Sequence, residues 1–479
     1  MPDTFDVFAA AREVPDRVAL VEPDRTWSYQ ELAELSARAL GWLEQHGGLA
    51  PSAHPDPSPI AITALPTPAQ LGMTFALMAA QIPVLPLHPR LTEAERAPLL
   101  AKARVRLCVD DRWLHDQPPA FERRPVPNFP ARDGEAPLCL VQTSGSAAGP
   151  RLALLSERAF QASARASAAN LGWTSSDRWL LALPFAHVGG LSILTRCLAA
   201  RSTLALSFSG NSERVLSNAA RLGESLHLLE VSLVSLVPTQ LEQLLALPAW
   251  QPPRSLRAIL LGGAAASEQT LERAWQRGLP VLPTYGMTET CSQICTRSLE
   301  SARTQGGVGH PLPGIELCVV DGEIQVRGEV LFSGYLDDGE PQAKTDWFAT
   351  GDLGHLDSEG CLHVLGRLSD RIITGGENVN PVEVEQALEA LVAPRRLCVF
   401  GQHDRLWGEQ VVVAIEGPVD NDLVQRLARV SQQCLASFKR PRRVAFVERL
   451  PELASGKLAR RALKDSRTLQ TRPIDDPSE

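Results

Sequence analysis

This sequence predicts an α/β fold: a large N-terminal multi-sheet α/β domain with a small β unit, followed by a small α+β C-terminal domain. Three observations predict it. Strand-like and helix-like segments alternate through the first 290 or so residues. From residue 314, GIELCVVDGEIQVRGEVLFSGYL alternates apolar and polar residues between glycine turns, the pattern of a small antiparallel β unit. After GRLSD a helix, two strands and a helix follow in close order.

The elements follow in chain order. TWSYQELAELSARALGWLEQHG sets Leu32, Leu35, Ala39 and Leu43 at helical spacing. Ser28 can cap that helix, with Glu31 three residues on. PIAITAL reads as a strand, GMTFALMAAQ as a buried helix and IPVLPL as a strand. LCLVQ is a strand ending in the loop TSGSAAGPR, and RAFQASARASAANLGW is a helix. RWLLALP, STLALSF and HLLEVSLVSLVP read as strands, with LSILTRCLAA and PTQLEQLLAL as helices. RAILLGG and PVLPTYG are strands ending in glycine. Open α/β sheets bind ligands at the carboxyl ends of their strands, where TSGSAAG, PFAHVGG and LGGAAAS carry the unusual residues. Beyond GRLSD come a helix around VEVEQALEAL, strands RRLCVFG and QVVVAIEG, and helix LVQRLARVSQQCLAS. The domain boundary is placed at Leu368 and Ser369, giving domains 1–368 and 369–479, and the tail after Lys464 reads as frayed.

The bulk composition narrows the class. Of 479 residues, 44% are hydrophobic and 21% charged, the balance of a globular protein. A net charge of −8 gives no basic field for nucleic acid. The nine cysteines are scattered without zinc-ligand spacing, which suggests reduced thiols in a cytoplasmic protein. The start MPDTFDVFAAAREVPDRVAL lacks the apolar centre of a signal peptide, and no apolar run is long enough for membrane insertion. Self-association into a homo-oligomer stays open.

Four stretches carry chemistry. TSGSAAGPR, with Thr143, Ser144, Gly145, Ser146 and Arg151, is a hydroxyl-rich loop after a strand, a common phosphate cradle, though not a Walker P-loop. In PTYGMTETCSQ, Tyr285 can stack on a flat ring and Gly286 follows it. Thr288 can donate to phosphate there, and Glu289 can hold Mg²⁺ together with phosphate oxygens. Alone, this stretch reads equally well as a polar turn. In TGD and GRLSDRIITGGENVNP, Asp352 can accept from ribose hydroxyls and Arg367 can offer its fork. PELASGKLARRAL places Lys457 near the C-terminus.

Together and in this order, these stretches resemble the motifs of the adenylate-forming superfamily: acyl- and aryl-CoA synthetases, peptide-synthetase adenylation domains and luciferases. TSGSAAGPR is similar to that family's TSGTTGxPK phosphate loop, YGMTE to its YGxTE motif, and PELASGKLARRAL to its C-terminal lysine motif. TGD and GRLSDRIITGGENVNPVEVE look like its ribose and hinge motifs. Within the family, DRWLLALPFAHVGGLSIL, LPLHPRLT and YGMTETCSQI resemble the o-succinylbenzoate–CoA ligases of menaquinone biosynthesis.

The resemblance implies a mobile C-terminal domain turning about a hinge at Ser369, and ATP, Mg²⁺ and coenzyme A as partners of a small carboxylic acid. It implies Lys457, Thr288 and Glu289 as catalytic residues. Thr143, Ser144, Gly145, Ser146, Arg151, Tyr285, Gly286, Asp352 and Arg367 would bind the nucleotide. Gly262 and Gly263 would frame its adenine, while Gly375 and Gly376 would lie beside the CoA pantetheine. His187, Gly189, Gly190, Ser192 and Gln293 would line the acyl pocket. The loop departs from the pattern: Ala147 and Ala148 stand where the family has Thr and Gly, and Arg151 where it has Lys. Another aryl- or acyl-CoA ligase, or a non-catalytic binding paralogue, is the alternative reading.

Overall fold

A computed structural model describes residues 5–48, 58–114, 134–143, 151–207, 219–337, 340–341, 346–452, 458–466 and 468–474. These fall into two units: Met1–Glu316 with Arg327–Phe348, and Leu317–Val326 with Ala349–Glu479. The expected boundary at Leu368 and Ser369 lies inside the second.

Two sheets organise the first unit. The nine-stranded sheet has six parallel strands at its centre, in the order Val281–Met287, Ala258–Leu261, Leu233–Leu236, Arg178–Leu180, Thr203–Ala205, Val18–Val21. Antiparallel strands close its edges, Ser292–Thr296 then His310–Pro311 on one side and Thr26–Ser28 on the other. The seven-stranded sheet carries Ile60–Thr63, Val84–Leu87 and Pro137–Thr143 in its middle. Central strands such as Ile60–Thr63, Leu233–Leu236 and Ala258–Leu261 are buried throughout, which explains their unbroken apolar runs. One apolar core, including Leu20, Ile62, Val141 and Leu260, joins residues of both sheets.

Local signals hold where they are strongest. Ser28 and Glu31 form the expected reciprocal cap on helix Tyr29–Gln45. Four expectations change. RLALLS is a strand, Arg151–Ser156, antiparallel to Pro137–Thr143, so a strand precedes helix Glu157–Leu171. Val188–Gly190 form the first turn of helix Val188–Ala200 and not a loop. His227 and Leu228 end helix Ala219–Leu228, leaving Leu233–Leu236 as the strand. Finally, FSGYL leaves the small β unit: Gly334–Asp337 pairs with Arg151–Ser156 in the seven-stranded sheet. Ladder hydrogen bonds are made by backbone, so an alternating pattern marks a strand without naming its partner.

The second unit holds a four-stranded sheet in the order Ile315–Val320, Glu323–Gly328, Phe348–Leu356, Leu362–Arg367. Its six-stranded sheet centres on Gly408–Glu416, flanked by Leu397–Asp404 and Arg443–Val447 and packed by helices Pro381–Val392 and Asn421–Cys434. The tail is not wholly frayed: Arg472–Pro473 pairs with Arg443 and Val444.

Candidate active site

At the carboxyl end of strand Val281–Met287 the chain turns tightly into Ser292–Thr296. A bulge opposes Tyr285 and Gly286 to Cys295 and Gln293. A Cβ on Gly286 would lie 1.6 Å from the Ser292 carbonyl oxygen, so only glycine fits. Cys291 and Ser292 take positive φ of 49° and 105°, strain of the kind that the surrounding fold must hold in place. The turn presents Thr288 and buries Glu289. Glu289 accepts a hydrogen bond from the Tyr335 phenol at 2.6 Å.

Tyr285 and the Gly262–Gly263 pair stand at the ends of neighbouring parallel strands. A Cβ on Gly262 would lie 2.8 Å from Thr284 Cγ2. Thr143 ends its strand directly opposite Arg151, and the Arg151 guanidinium lies 3.4 Å from the centre of the Tyr335 ring. Ser144, Gly145 and Ser146 lie outside the described residues, as does Lys457.

His187 caps helix Val188–Ala200, with its ring 5.6 Å from that of His88. Gly190 allows the helix to start against the preceding chain, since a Cβ there would sit 2.5 Å from the Pro184 oxygen. Ser192 is buried, and its hydroxyl donates to the Gly189 carbonyl at 3.1 Å. Gln293 turns its amide nitrogen toward Thr296 Oγ1 at 2.7 Å, while its Oε1 has no hydrogen-bond partner among the described residues.

Gly189, Ser192 and Arg196 fall at i, i+3 and i+7, one face of this helix. Arg196 was not singled out from sequence. It is 2% exposed, yet its Nε and Nη2 have no hydrogen-bond partner among the described residues. Its charge is balanced by no ion pair there, and the Trp179 ring centre lies 5.3 Å from the guanidinium carbon. Burial pulls its pKa down to about 10, with Cys197 and Cys291 opposing the shift, which leaves it charged at neutral pH. A buried, unpaired cation is costly unless a ligand supplies the anion. The available sequence signal was a lone Arg one helical turn beyond Ser192 in an otherwise apolar helix.

The second unit builds its features separately. Asp352 and Arg367 face each other across neighbouring strands, with Nε 3.0 Å from Oδ1. Asp352 is 6% exposed, and its amide donates to Thr350 Oγ1. Gly351 turns the chain there with φ of 72°. Ser369 is exposed in the short turn Leu368–Asp370. Gly375 and Gly376, both at positive φ, make the two-residue turn between Ile372–Thr374 and Glu377–Val379. The segment carrying Lys457 is closed at its base, where Glu452 bridges Leu458 and the Ala459 amide donates to the Pro451 oxygen at 2.8 Å. The next residue, Arg460, binds both Glu385 oxygens, at 2.7 and 3.2 Å, and the Val399 carbonyl at 3.0 Å.

The donor set around Glu289 suits magnesium. No cluster of three or more metal-ligating side chains occurs among the described residues. Mg²⁺ takes one or two carboxylates and completes its shell with phosphate and water oxygens. One buried carboxylate fits such a shell, whereas a protein cage for calcium or zinc would need more ligands.

A family model described as AMP-binding enzyme matches residues 7–336, and one described as AMP-binding enzyme C-terminal domain matches 383–457. The 2-succinylbenzoate–CoA ligase of Enterococcus faecalis is 36% identical over 346 residues, 68% of this chain and 69% of that protein. The one from Bacillus licheniformis is 31% identical over 486 residues, 95% of this chain and 98% of that protein. The structure of o-succinylbenzoate CoA synthetase (MenE) from Bacillus subtilis with the acyl-adenylate intermediate OSB-AMP has a TM-score of 0.84 to this chain at 32% identity, covering 97% and 98% of the two chains. The same enzyme with ATP and magnesium ion has a TM-score of 0.83 at 31% identity, covering 96% of this chain and 99% of that one.

Proposed function

This chain belongs to the AMP-binding enzyme family, and from that premise we propose that it activates 2-succinylbenzoate with ATP and transfers the acyl group to coenzyme A. The observation that carries the choice of acid is Arg196. 2-Succinylbenzoate has two carboxylates, one of which reacts. The other needs a cation, and Arg196 is a buried cation with no carboxylate partner among the described residues.

A carboxylate is a poor electrophile because its oxygen is a poor leaving group. Attack of the carboxylate oxygen on the ATP α-phosphorus expels pyrophosphate and forms acyl-AMP. The CoA thiol then attacks the acyl carbonyl, loses its proton, and AMP leaves. The protein must hold the attacking oxygen in line and balance charge that develops on the phosphate.

Thr143, Ser144, Ser146 and Thr288 would bind phosphate oxygens. Asp352, oriented by Arg367, would accept from the ribose, and Tyr285 with Gly262 and Gly263 would frame the adenine. Lys457 would offset charge on the α-phosphate during adenylation only. The Gly375–Gly376 turn would serve the thioester step, with Ser369 as the hinge between the two uses. Magnesium, held by Glu289, would neutralise part of the triphosphate charge. A reaction that consumes ATP and CoA suits the cytoplasm.

A panel of acids with ATP and CoA, read by AMP release, tests the proposal. 2-Succinylbenzoate should exceed benzoate and fatty acids by orders of magnitude in kcat/KM. Turnover of benzoates with none of 2-succinylbenzoate would overturn it.

A further inference from the structure

Three side chains from three distant stretches touch in series. Arg151 opens the strand that leaves the hydroxyl-rich loop. Tyr335 lies on the antiparallel partner strand, opposite Ala153. Glu289 sits on the turn after Val281–Met287, its carbonyl accepting from the Phe332 amide at 2.8 Å. The Phe332 ring meets the Tyr335 ring edge-on at 4.8 Å, which limits how the phenol can tilt. From that fixed ring the hydroxyl donates to Glu289 Oε1 at 2.6 Å, and the ring face carries the Arg151 guanidinium 3.4 Å above it.

Each contact uses a property the others leave intact. Stacking engages the flat face of a guanidinium and leaves its N–H edge for acceptors, which an ammonium does not do. A phenol donating to a carboxylate occupies one lone pair of one oxygen and leaves the second oxygen for another partner. A tyrosine at this place therefore sets the direction of a cation and of a carboxylate together.

We propose that Tyr335 is a positioning residue that aims the Glu289 carboxylate at the magnesium of MgATP and holds the Arg151 guanidinium toward the triphosphate. The proposal rests on the nucleotide reading of Glu289 and Arg151 given above. It also accounts for arginine at 151: the stack on Tyr335 needs a planar cation.

Calorimetric ATP affinity, measured with Mg²⁺ and again with EDTA, tests this together with the melting midpoint of each protein. Tyr335→Phe keeps the ring and loses the hydroxyl. It should leave metal-free ATP binding unchanged and weaken the gain from Mg²⁺ by about tenfold, the scale of one hydrogen bond to a charged group. In a Glu289→Gln background the same change should have little further effect, because Tyr335 acts through that carboxylate. Tyr335→Leu removes the ring and should weaken metal-free binding as well. A Tyr335→Phe protein with a lower melting midpoint and an unchanged Mg²⁺-to-EDTA affinity ratio would show a purely structural tyrosine and overturn the inference alone. So would full additivity with Glu289→Gln. A parent protein that binds no ATP under either condition overturns the nucleotide reading itself, and the inference with it.

Discussion

Arg460 and Arg196, one in each unit, are treated in opposite ways: the first is half-buried and the second buried. Arg460 has its charge met by both oxygens of Glu385, by the Val399 carbonyl and, at 3.4 Å from Nε, by Asp370. Burial opposes its charge most strongly, but Glu385, Cys398 and Asp370 together more than restore it, and its pKa ends above the ordinary value. Arg196 is more deeply placed and meets no carboxylate among the described residues. The first arrangement is complete without a ligand, which suits a structural tie beside the Lys457 segment. The second is complete only when something anionic arrives. An ion that the fold leaves unbalanced is a stronger pointer to a substrate than one it neutralises.

The largest effect expected is on stability. Arg460→Met should cost about 3–5 kcal/mol, because it strands the Glu385 carboxylate. Denaturant unfolding of the full chain measures it. Burial already pushes the Glu385 carboxyl above its ordinary range. A raised carboxyl pKa contributes stability below its unfolded value and loses it as pH rises toward the folded value. The deficit of Arg460→Met should therefore shrink as pH falls toward the ordinary glutamate range. A deficit that stays constant with pH would mean that packing alone is at stake.

Three residues earlier, Lys457→Ala should leave stability alone and slow adenylation by roughly 10²–10³-fold, the scale of removing one transition-state donor. Pyrophosphate release would report that loss. Thioester formation from synthetic acyl-AMP should stay close to the parent rate, and equal loss in both assays would refute the division of labour.

Arg196→Met provides the sharpest contrast with Arg460→Met. Removing an unbalanced buried charge should leave the melting midpoint unchanged or raise it. Affinity for 2-succinylbenzoate should meanwhile fall by about 2–5 kcal/mol. If stability drops and substrate affinity holds, the two arginines are alike after all.

Asp352→Asn keeps one acceptor oxygen and loses the charge, so ATP binding should weaken by about 1.5–3 kcal/mol. Unaltered ATP dependence would remove Asp352 from the ribose. The smallest change is Arg151→Lys, which keeps a cation and loses the stack on Tyr335. It should cost about 0.5–1 kcal/mol in ATP affinity. An equal or better KM for ATP would show that any cation suffices.

Much of this protein is written in local chemistry. The reciprocal cap at Ser28 and Glu31 needs residues three apart. The turn at Gly375 and Gly376 needs two positive φ angles in sequence, and Gly286 must lack a side chain where the chain doubles back on itself. Such features depend on near neighbours, although of the three only the cap at Ser28 and Glu31 is read from spacing. The order of the motifs likewise lies along the chain, and with it the family and most of the candidate site.

What the sequence could not decide is who meets whom across it. FSGYL alternates as a strand should, yet the alternation is as compatible with the small β unit as with the Arg151–Ser156 edge that it joins. That choice alone carries Tyr335 to both Arg151 and Glu289. Arg196 and Arg460 are ordinary letters in helical stretches, and nothing nearby tells which one finds a carboxylate. Glu385 lies 75 residues from its arginine. Burial and charge balance are sums over neighbours brought together by the whole fold, so they take a value only once the sheets have closed.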